Sequence, residues 1–493
     1  MMKDLKTCQF WFITGSQHLY GEETLKKVAE HSESMVEKLN QANQIPAEIV
    51  FKIVATTSEA IENIIEEANY DKSCVGIITW MHTFSPSKMW IRGLGKLQKP
   101  YLHLHTQFNR EIPNEDIDMD FMNLNQAAHG DREHGFIGTR MRLPRKVIVG
   151  YWEDKHVKEK IGLWMRSAIG VMTSKKLKVA RFGDNMRDVA VTEGDKVEAQ
   201  IKLGWSVNTY PVGDLLAYID AVSEAEIDAI VKEYEQAYII KTDNIESVRY
   251  QARLEIGMET FLKKGGFDAF VNTFEDLNGM KQLPGLASQR LMEKGYGFGP
   301  EGDWKVAAMT SVMKTMAQGL VGGTSLMEDY TYHFAGEESL ILGSHMLEIC
   351  PTVAATKPSI EVHPLGIGGK DDPARLVFEG ASGKAICASL IDMGGRLRLI
   401  VNDILAVKPI MAMPNLPVAR VMWKPLPNLE TSAEAWITAG GAHHSVISFS
   451  LTANELRDWA NMMDIEFVHI AEDIDLYRFK QDLLIADLAW KLK

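Results

Sequence analysis

Cysteine is scarce in this chain. Cys8, Cys74, Cys350 and Cys387 are widely scattered and form no C-x-x-C pair, which excludes a disulfide framework and fits reduced thiols in a cytoplasmic protein. Long apolar runs are missing too. The most hydrophobic helical stretch, residues 161–171, is interrupted by Arg166 and is too short to cross a bilayer, so it reads as a core helix. Positive charge is in deficit, with 53 Lys and Arg against 66 Asp and Glu and a formal net charge of −13. That balance argues against a nucleic-acid or anionic-membrane partner, both of which need clustered basic residues, and it suits a neutral substrate. There are no internal repeats, low-complexity tracts or long charge blocks. The first residues, Met1 to Lys6, read as the approach to a short apolar strand and not as a signal peptide.

What remains is a soluble globular composition, 46% apolar and 24% charged, on a 493-residue chain long enough for two or three domains. Residues 1–175 alternate short apolar strands (10–13, 49–54, 75–78 and 101–104) with helical segments, one of them opened by the capping pattern Thr56-x-x-Glu59. This rhythm implies a parallel sheet with helices on both faces, whose ligands bind beyond the carboxyl ends of the strands. Gln17, past the first strand, and Phe84, past the third, stand where they could line a pocket. The segment 14–17 lacks both G-x-G-x-x-G and the Walker A lysine, so it gives no nucleotide site. Residues 123–130 read as polar and irregular, with His129 a turn residue on its own merits.

A second α/β unit spans 176–325, after a linker at 174–176. It holds a helix capped by Ser223-x-x-Glu226, helical periodicity over 244–261, a turn at Leu283-Pro284-Gly285 and a helix over 304–318. From 326 to 493 short β runs separated by Gly-rich turns replace that pattern. The fold class expected is α/β: two doubly wound parallel-sheet domains, then a mainly antiparallel, β-barrel-like C-terminal domain with helices.

Chemistry concentrates between residues 299 and 345. Glu301 sits between Pro300 and Gly302, Glu328 opens the aromatic run Glu328-Asp329-Tyr330-Thr331-Tyr332-His333, and His345 follows Gly343-Ser344. Behind Gly440-Gly441-Ala442 comes the pair His443-His444. Such acids are commonly turn or cap residues. Taken together, two carboxylates and two imidazoles can equally converge on one hard or borderline cation such as Mn²⁺, leaving positions for substrate oxygens. If the histidine pair is extended, its side chains point to opposite faces and one cation takes only one of them. Composition leaves open which one.

Five segments in register, 14–21, 301–305, 328–333, 366–373 (Gly-Ile-Gly-Gly-Lys-Asp-Asp-Pro) and 440–444, resemble the L-arabinose isomerases. The resemblance runs from about residue 8 to near the carboxyl end. It implies an aldose–ketose isomerase of L-arabinose catabolism, with D-galactose to D-tagatose as a side activity and one Mn²⁺ per subunit. It also implies the ligands Glu301, Glu328, His345 and His444, the two glutamates doubling as the acid/base pair. Gln17, Leu19, Phe84, Met186, Phe274 and Ile367 match sugar-contacting positions. Gln126 and His129 match residues that reach the sugar site of a neighbouring subunit, in hexamers of two trimers. Three rival readings have their own signatures. A metal-dependent hydrolase would consume water irreversibly. A sugar-binding module would leave four metal donors unused. An L-fucose isomerase is expected to share the fold, but the quoted motifs fit the arabinose enzymes better.

Overall fold

The computed structural model describes residues 5–492; the approach read for residues 1–4 lies outside the described residues. The chain forms two compact units, one ending at Met172 and the other starting at Thr173.

In the first unit, strands β1 (Gln9–Gly15), β2 (Glu48–Ala55), β3 (Cys74–Met81), β4 (Tyr101–His105) and β5 (Lys146–Val149) form one parallel sheet in the order β2-β1-β3-β4-β5. β3 is buried along its whole length, as a central parallel strand covered on both faces must be. The helices Gly21–Asn40 and Ser58–Tyr70 pack by apolar stripes, Val28, Met35 and Leu39 in one and Ile61, Ile64 and Ile65 in the other. Two expectations need correction here. The second of these helices is capped by Thr57, whose Oγ1 accepts from the Ala60 N–H, while Thr56 bonds His18 instead. Residues 123–130 are mostly helical, not irregular: 123–124 end the helix Met119–Leu124 and 127–130 open the helix Ala127–Arg140, with Asn125 and Gln126 as the break between them. The buried face of the latter helix is Ala127, Gly130, Asp131, His134, Ile137 and Gly138, too small and polar to show apolar periodicity.

In the second unit, β6 (Lys178–Phe182) and β7 (Ser206–Tyr210) begin another parallel sheet, and a two-residue strand β8 (Ile239–Ile240) follows. The sheet is completed by β9 (Ala269–Asn272) and β10 (Gly297–Gly299) in the order β10-β9-β6-β7. The expected capping box at Ser223 and Glu226 is present. Gly285, read as part of a turn, opens the helix Gly285–Glu293; its first eight residues are all buried, so no amphipathic signal marks it.

Next come β11 (Thr324–His333), β12 (Leu340–Ser344), β13 (Ser359–Val362), β14 (Ala374–Val377), β15 (Gly383–Asp392), β16 (Leu397–Val407), β17 (Arg420–Pro425), β18 (His444–Ser448) and β19 (Glu466–Ile470). Six of these close an antiparallel barrel, β15-β18-β11-β12-β17-β16 and back to β15. β19 adds to β16 in parallel from outside the ring, and β13 joins β14 and β8 in a separate ribbon. Closure removes the free edges a sheet of this size would otherwise expose. Met327, Ile341, Cys387, Ile404, Trp423 and Ile447 belong to one buried cluster.

The helix Trp304–Met316 joins the two layers. It touches β9 and β10 on the sheet side and β11, β15 and β18 on the barrel side, and every one of its residues is buried. Full burial of each Val- or Met-sized side chain there contributes about 1.5–3 kcal/mol. That packing fixes the residues just before the helix against the barrel wall.

Candidate active site

The site is assembled where the parallel sheet and the barrel meet. After β10, the turn Pro300–Gly302 carries Glu301 with φ 56° and ψ 21°, a left-handed conformation uncommon for a residue with a side chain. It is held there by the Met186 N–H, which donates to the Glu301 carbonyl at 2.9 Å. Gly302 follows at φ 77°, and a Cβ there would come within 2.5 Å of the Asp184 carbonyl oxygen, so only glycine fits. On the barrel side, register does the positioning. Glu328 on β11 pairs with Ser344 of β12 on one flank and with His444 of β18 on the other. His345 follows Ser344 directly.

These elements bring Glu301, His345 and His444 together: one ligand atom from each lies within 4.8 Å of the other two, the one such group of His, Cys, Asp and Glu among the described residues. Glu328 is outside this triad but lines the same cavity, of about 220 Å³, as Glu301 and His345. Met186, Phe274 and Ile367 line it as well, so six residues singled out from the sequence face one space.

Both histidines are oriented by carboxylates. Nδ1 of His345 lies 2.6 Å from Glu348 Oε2, and Nδ1 of His444 lies 3.2 Å from Asp303 Oδ2. An imidazole that donates from Nδ1 presents the Nε2 lone pair outward, the usual arrangement for a metal-bound histidine. Nε2 of His444 is buried, has no hydrogen-bond partner, and stands 3.8 Å from Glu301 Oε2. A divalent cation fits this set: one carboxylate and two correctly turned imidazoles, one with an orphaned donor atom.

The electrostatics agree. A hydrogen bond from His443 lowers the Glu301 carboxyl below its ordinary range; burial opposes this, and His444 and His345 assist it. Burial would raise Asp303, but Lys305 and His444 hold it low. Burial works against the His345 imidazolium, yet the Glu348 carboxylate outweighs it and the pKa rises. Asp329 differs from its neighbour Glu328: burial, reinforced by the Glu328 charge, pushes it up to about 7, and it lines a separate small cavity with Cys387 and Trp436.

The two histidines do not alternate across a strand. Only His444 is in β18; His443 precedes it in a bend, so strand alternation does not separate them. Their rings lie 4.1 Å apart, and His443 Nε2 also approaches Glu301 Oε2, at 3.5 Å.

Three family descriptions match in order: the L-arabinose isomerase N-terminal domain over residues 4–176, the central domain over 178–319 and the C-terminal domain over 323–466. The chain belongs to the L-arabinose isomerase family. It is 60% identical to the L-arabinose isomerase of Geobacillus stearothermophilus, over 99% of this chain and 100% of that one. It is 58% identical to L-arabinose isomerase 1 of Bacillus licheniformis over 100% of both. It is 56% identical to the Thermotoga neapolitana enzyme, over 100% of this chain and 99% of that one. Membership of the L-arabinose isomerase family makes the protein an aldose–ketose isomerase.

The other five residues read as sugar contacts, Gln17, Leu19, Phe84, Gln126 and His129, belong to the first compact unit. There the Phe84 and His129 rings lie 4.7 Å apart, Gln126 bonds the Asn123 backbone and side chain, and Leu19 is 82% exposed. Sequence reasoning assigns no role to Asp303 or Glu348. His345-x-x-Glu348 is the available signal for the second; for Asp303 there is none beyond its place in the 301–305 motif. Among the described residues, no helix is long and apolar enough to cross a membrane.

Proposed function

We propose that the protein converts L-arabinose to L-ribulose by proton transfer through an enediol, with one Mn²⁺ per subunit held by Glu301, Glu328, His345 and His444. The observation that carries this reading is the convergence of Glu301, His345 and the orphaned Nε2 of His444, beside a cavity that Glu301, His345 and Glu328 line. When bound, a divalent cation supplies positive charge against the negative charge that develops on the two sugar oxygens.

The chain's own groups handle the protons. Glu301 is ionised at neutral pH, since His443 and the neighbouring imidazoles favour its charged form. Of the pair Glu301 and Glu328, one carboxylate takes the proton from carbon and returns it to the adjacent carbon, and the other passes the hydroxyl proton. General acid–base help of this kind is worth about 10²- to 10⁴-fold. Met186, Phe274 and Ile367 supply an apolar wall for the carbon chain. Gln17, Leu19 and Phe84 contact the sugar, and Gln126 and His129 reach it from a neighbouring subunit in a hexamer of two trimers. D-Galactose shares the configuration of L-arabinose along the reacting end and adds one carbon, so its conversion to D-tagatose is the side activity. The enzyme works in the cytoplasm and is built of three domains, 1–175, 176–325 and 326–493.

The test is chelator-stripped protein reloaded with Mn²⁺, incubated with L-arabinose and assayed for L-ribulose. Stripped protein should stay folded and inactive, and the metal should restore turnover. Full activity without metal would remove the cation from the reading.

A further inference from the structure

Asn272 is the last residue of β9, at the carboxyl edge of the second parallel sheet, the edge beyond which such sheets bind ligands. It lines the same cavity as Glu301 and Glu328, and the residue is only 6% exposed. Its Nδ2 is buried and has no hydrogen-bond partner. Folded proteins seldom keep a buried amide N–H unpaired, because the group has lost its water and gained nothing in return. Asn272 lines a ligand cavity with this donor unpaired, and a ligand there is the natural source of the acceptor. The apolar part of the wall, Met186, Phe274, Leu283 and Ile367, offers no side-chain oxygen. No lysine or arginine lines the cavity, so the occupant that suits Asn272 carries a neutral hydroxyl and not a phosphate or carboxylate there.

We propose that Asn272 is a specificity-determining residue that donates an Nδ2–H hydrogen bond to a hydroxyl oxygen of an unphosphorylated sugar. This rests on the reading of the cavity as the sugar site. A site that has left a donor unpaired for one hydroxyl discriminates against any sugar that lacks it or turns it away, because the donor then stays buried without a partner.

The inference has two independent readouts. Asn272→Leu keeps the approximate shape and removes the N–H; Asn272→Ala removes the side chain. Both should lower kcat/KM for L-arabinose about tenfold or more. Meanwhile the melting temperature of ligand-free Asn272→Leu should hold or rise, since an unsatisfied donor has been removed from the interior. A structural asparagine would show the reverse: a lowered melting temperature with little change in kcat/KM. The penalty of Asn272→Leu should also vanish on one of the 3-, 4- or 5-deoxy analogues of L-arabinose, the one lacking the bonded hydroxyl. Unchanged kcat/KM in both variants, a lowered melting temperature in Asn272→Leu, or a penalty that persists on all three analogues overturns the inference. Wild-type protein that fails to isomerise L-arabinose would instead overturn the reading of the cavity.

Discussion

Asp303 holds His444: its Oδ2 lies 3.2 Å from the imidazole Nδ1, and both side chains are buried. The other oxygen of the same carboxylate accepts from the Lys305 and Val306 N–H groups at the start of the helix Trp304–Met316. One side chain therefore caps the helix and turns a candidate metal ligand. Lys305, fully buried, completes the arrangement at 3.2 Å from Asp303 Oδ1.

Substitution separates the two tasks of Asp303. Asparagine is as good an N-cap as aspartate but brings no charge to the imidazole. Asp303→Asn should keep the cap, lose about 3–5 kcal/mol because the buried Lys305 ammonium is left without its counter-charge, and lose about 10- to 100-fold in metal affinity. Asp303→Ala should lose the cap as well, a further cost of about 0.5–2 kcal/mol in denaturant unfolding. Metal titration beside unfolding curves checks both. Equal metal affinity in wild type and Asp303→Asn would mean that His444 does not depend on this carboxylate.

The adjacent histidines should also behave differently. His444 is 1% exposed, lies in β18 and directs its unpartnered Nε2 towards Glu301, whereas His443 is half-buried and acts on the Glu301 carboxyl by a hydrogen bond. His444→Asn should lower bound metal and abolish isomerisation. His443→Asn should retain the metal and lose only part of the activity, because what it removes is support for the Glu301 charge. Metal content of the two purified variants decides between them, and the reverse pattern would exchange their roles.

Much of this architecture is legible in the order of residues. Alternating strands and helices point to the two parallel sheets, and the Gly-punctuated β runs point to the barrel. What escapes has physical causes. The helix Ala127–Arg140 buries Gly130, Asp131 and His134, so its inner face does not look apolar. The helix Gly285–Glu293 is buried on nearly every side, which erases amphipathic contrast. Within the site, Glu301, Glu328 and His444 belong to recognisable motifs, and His345 is named only by the wider resemblance. Their union depends on the register that sets Glu328 opposite His444 and beside Ser344, a long-range fact no local pattern carries. The unpaired amide of Asn272 is likewise visible only once its surroundings are packed.

The first compact unit should be acid-sensitive through its histidines. His82 is fully buried against Trp80 and hydrogen-bonded to His31. Burial, helped by the nearby His31, pushes its pKa from 6.5 down to about 3, and burial also depresses His134. The unfolded chain takes up these protons near pH 6.5 while the folded chain refuses them. The stability is thus fully present above that pH and is lost as pH falls toward the folded values. At about pH 5, His82 alone should cost about 2 kcal/mol. Denaturant midpoints at pH 7 and pH 5 should fall less steeply in His82→Gln than in wild type; parallel slopes would clear His82 of the effect.

The strongest test of a site shared between subunits is complementation. Suppose Glu301 acts in one subunit of a ring and His129 reaches it from the next, a head-to-tail arrangement in which every contact has a direction. Glu301→Gln and His129→Ala homo-oligomers should then both be strongly impaired, each spoiling every site by a different half. Mixed rings behave otherwise. Wherever a His129→Ala subunit, with its Glu301 intact, is followed by a Glu301→Gln subunit, with its His129 intact, one site has both halves. Random assembly at equal amounts meets that order with probability one half times one half, so about a quarter of wild-type activity should return on co-refolding or co-expression. Simple mixing of assembled oligomers should restore nothing until subunits exchange. Co-assembled samples that stay at the average of the two parents would show that each site is complete within one chain, and His129 would then lose its place among the sugar contacts.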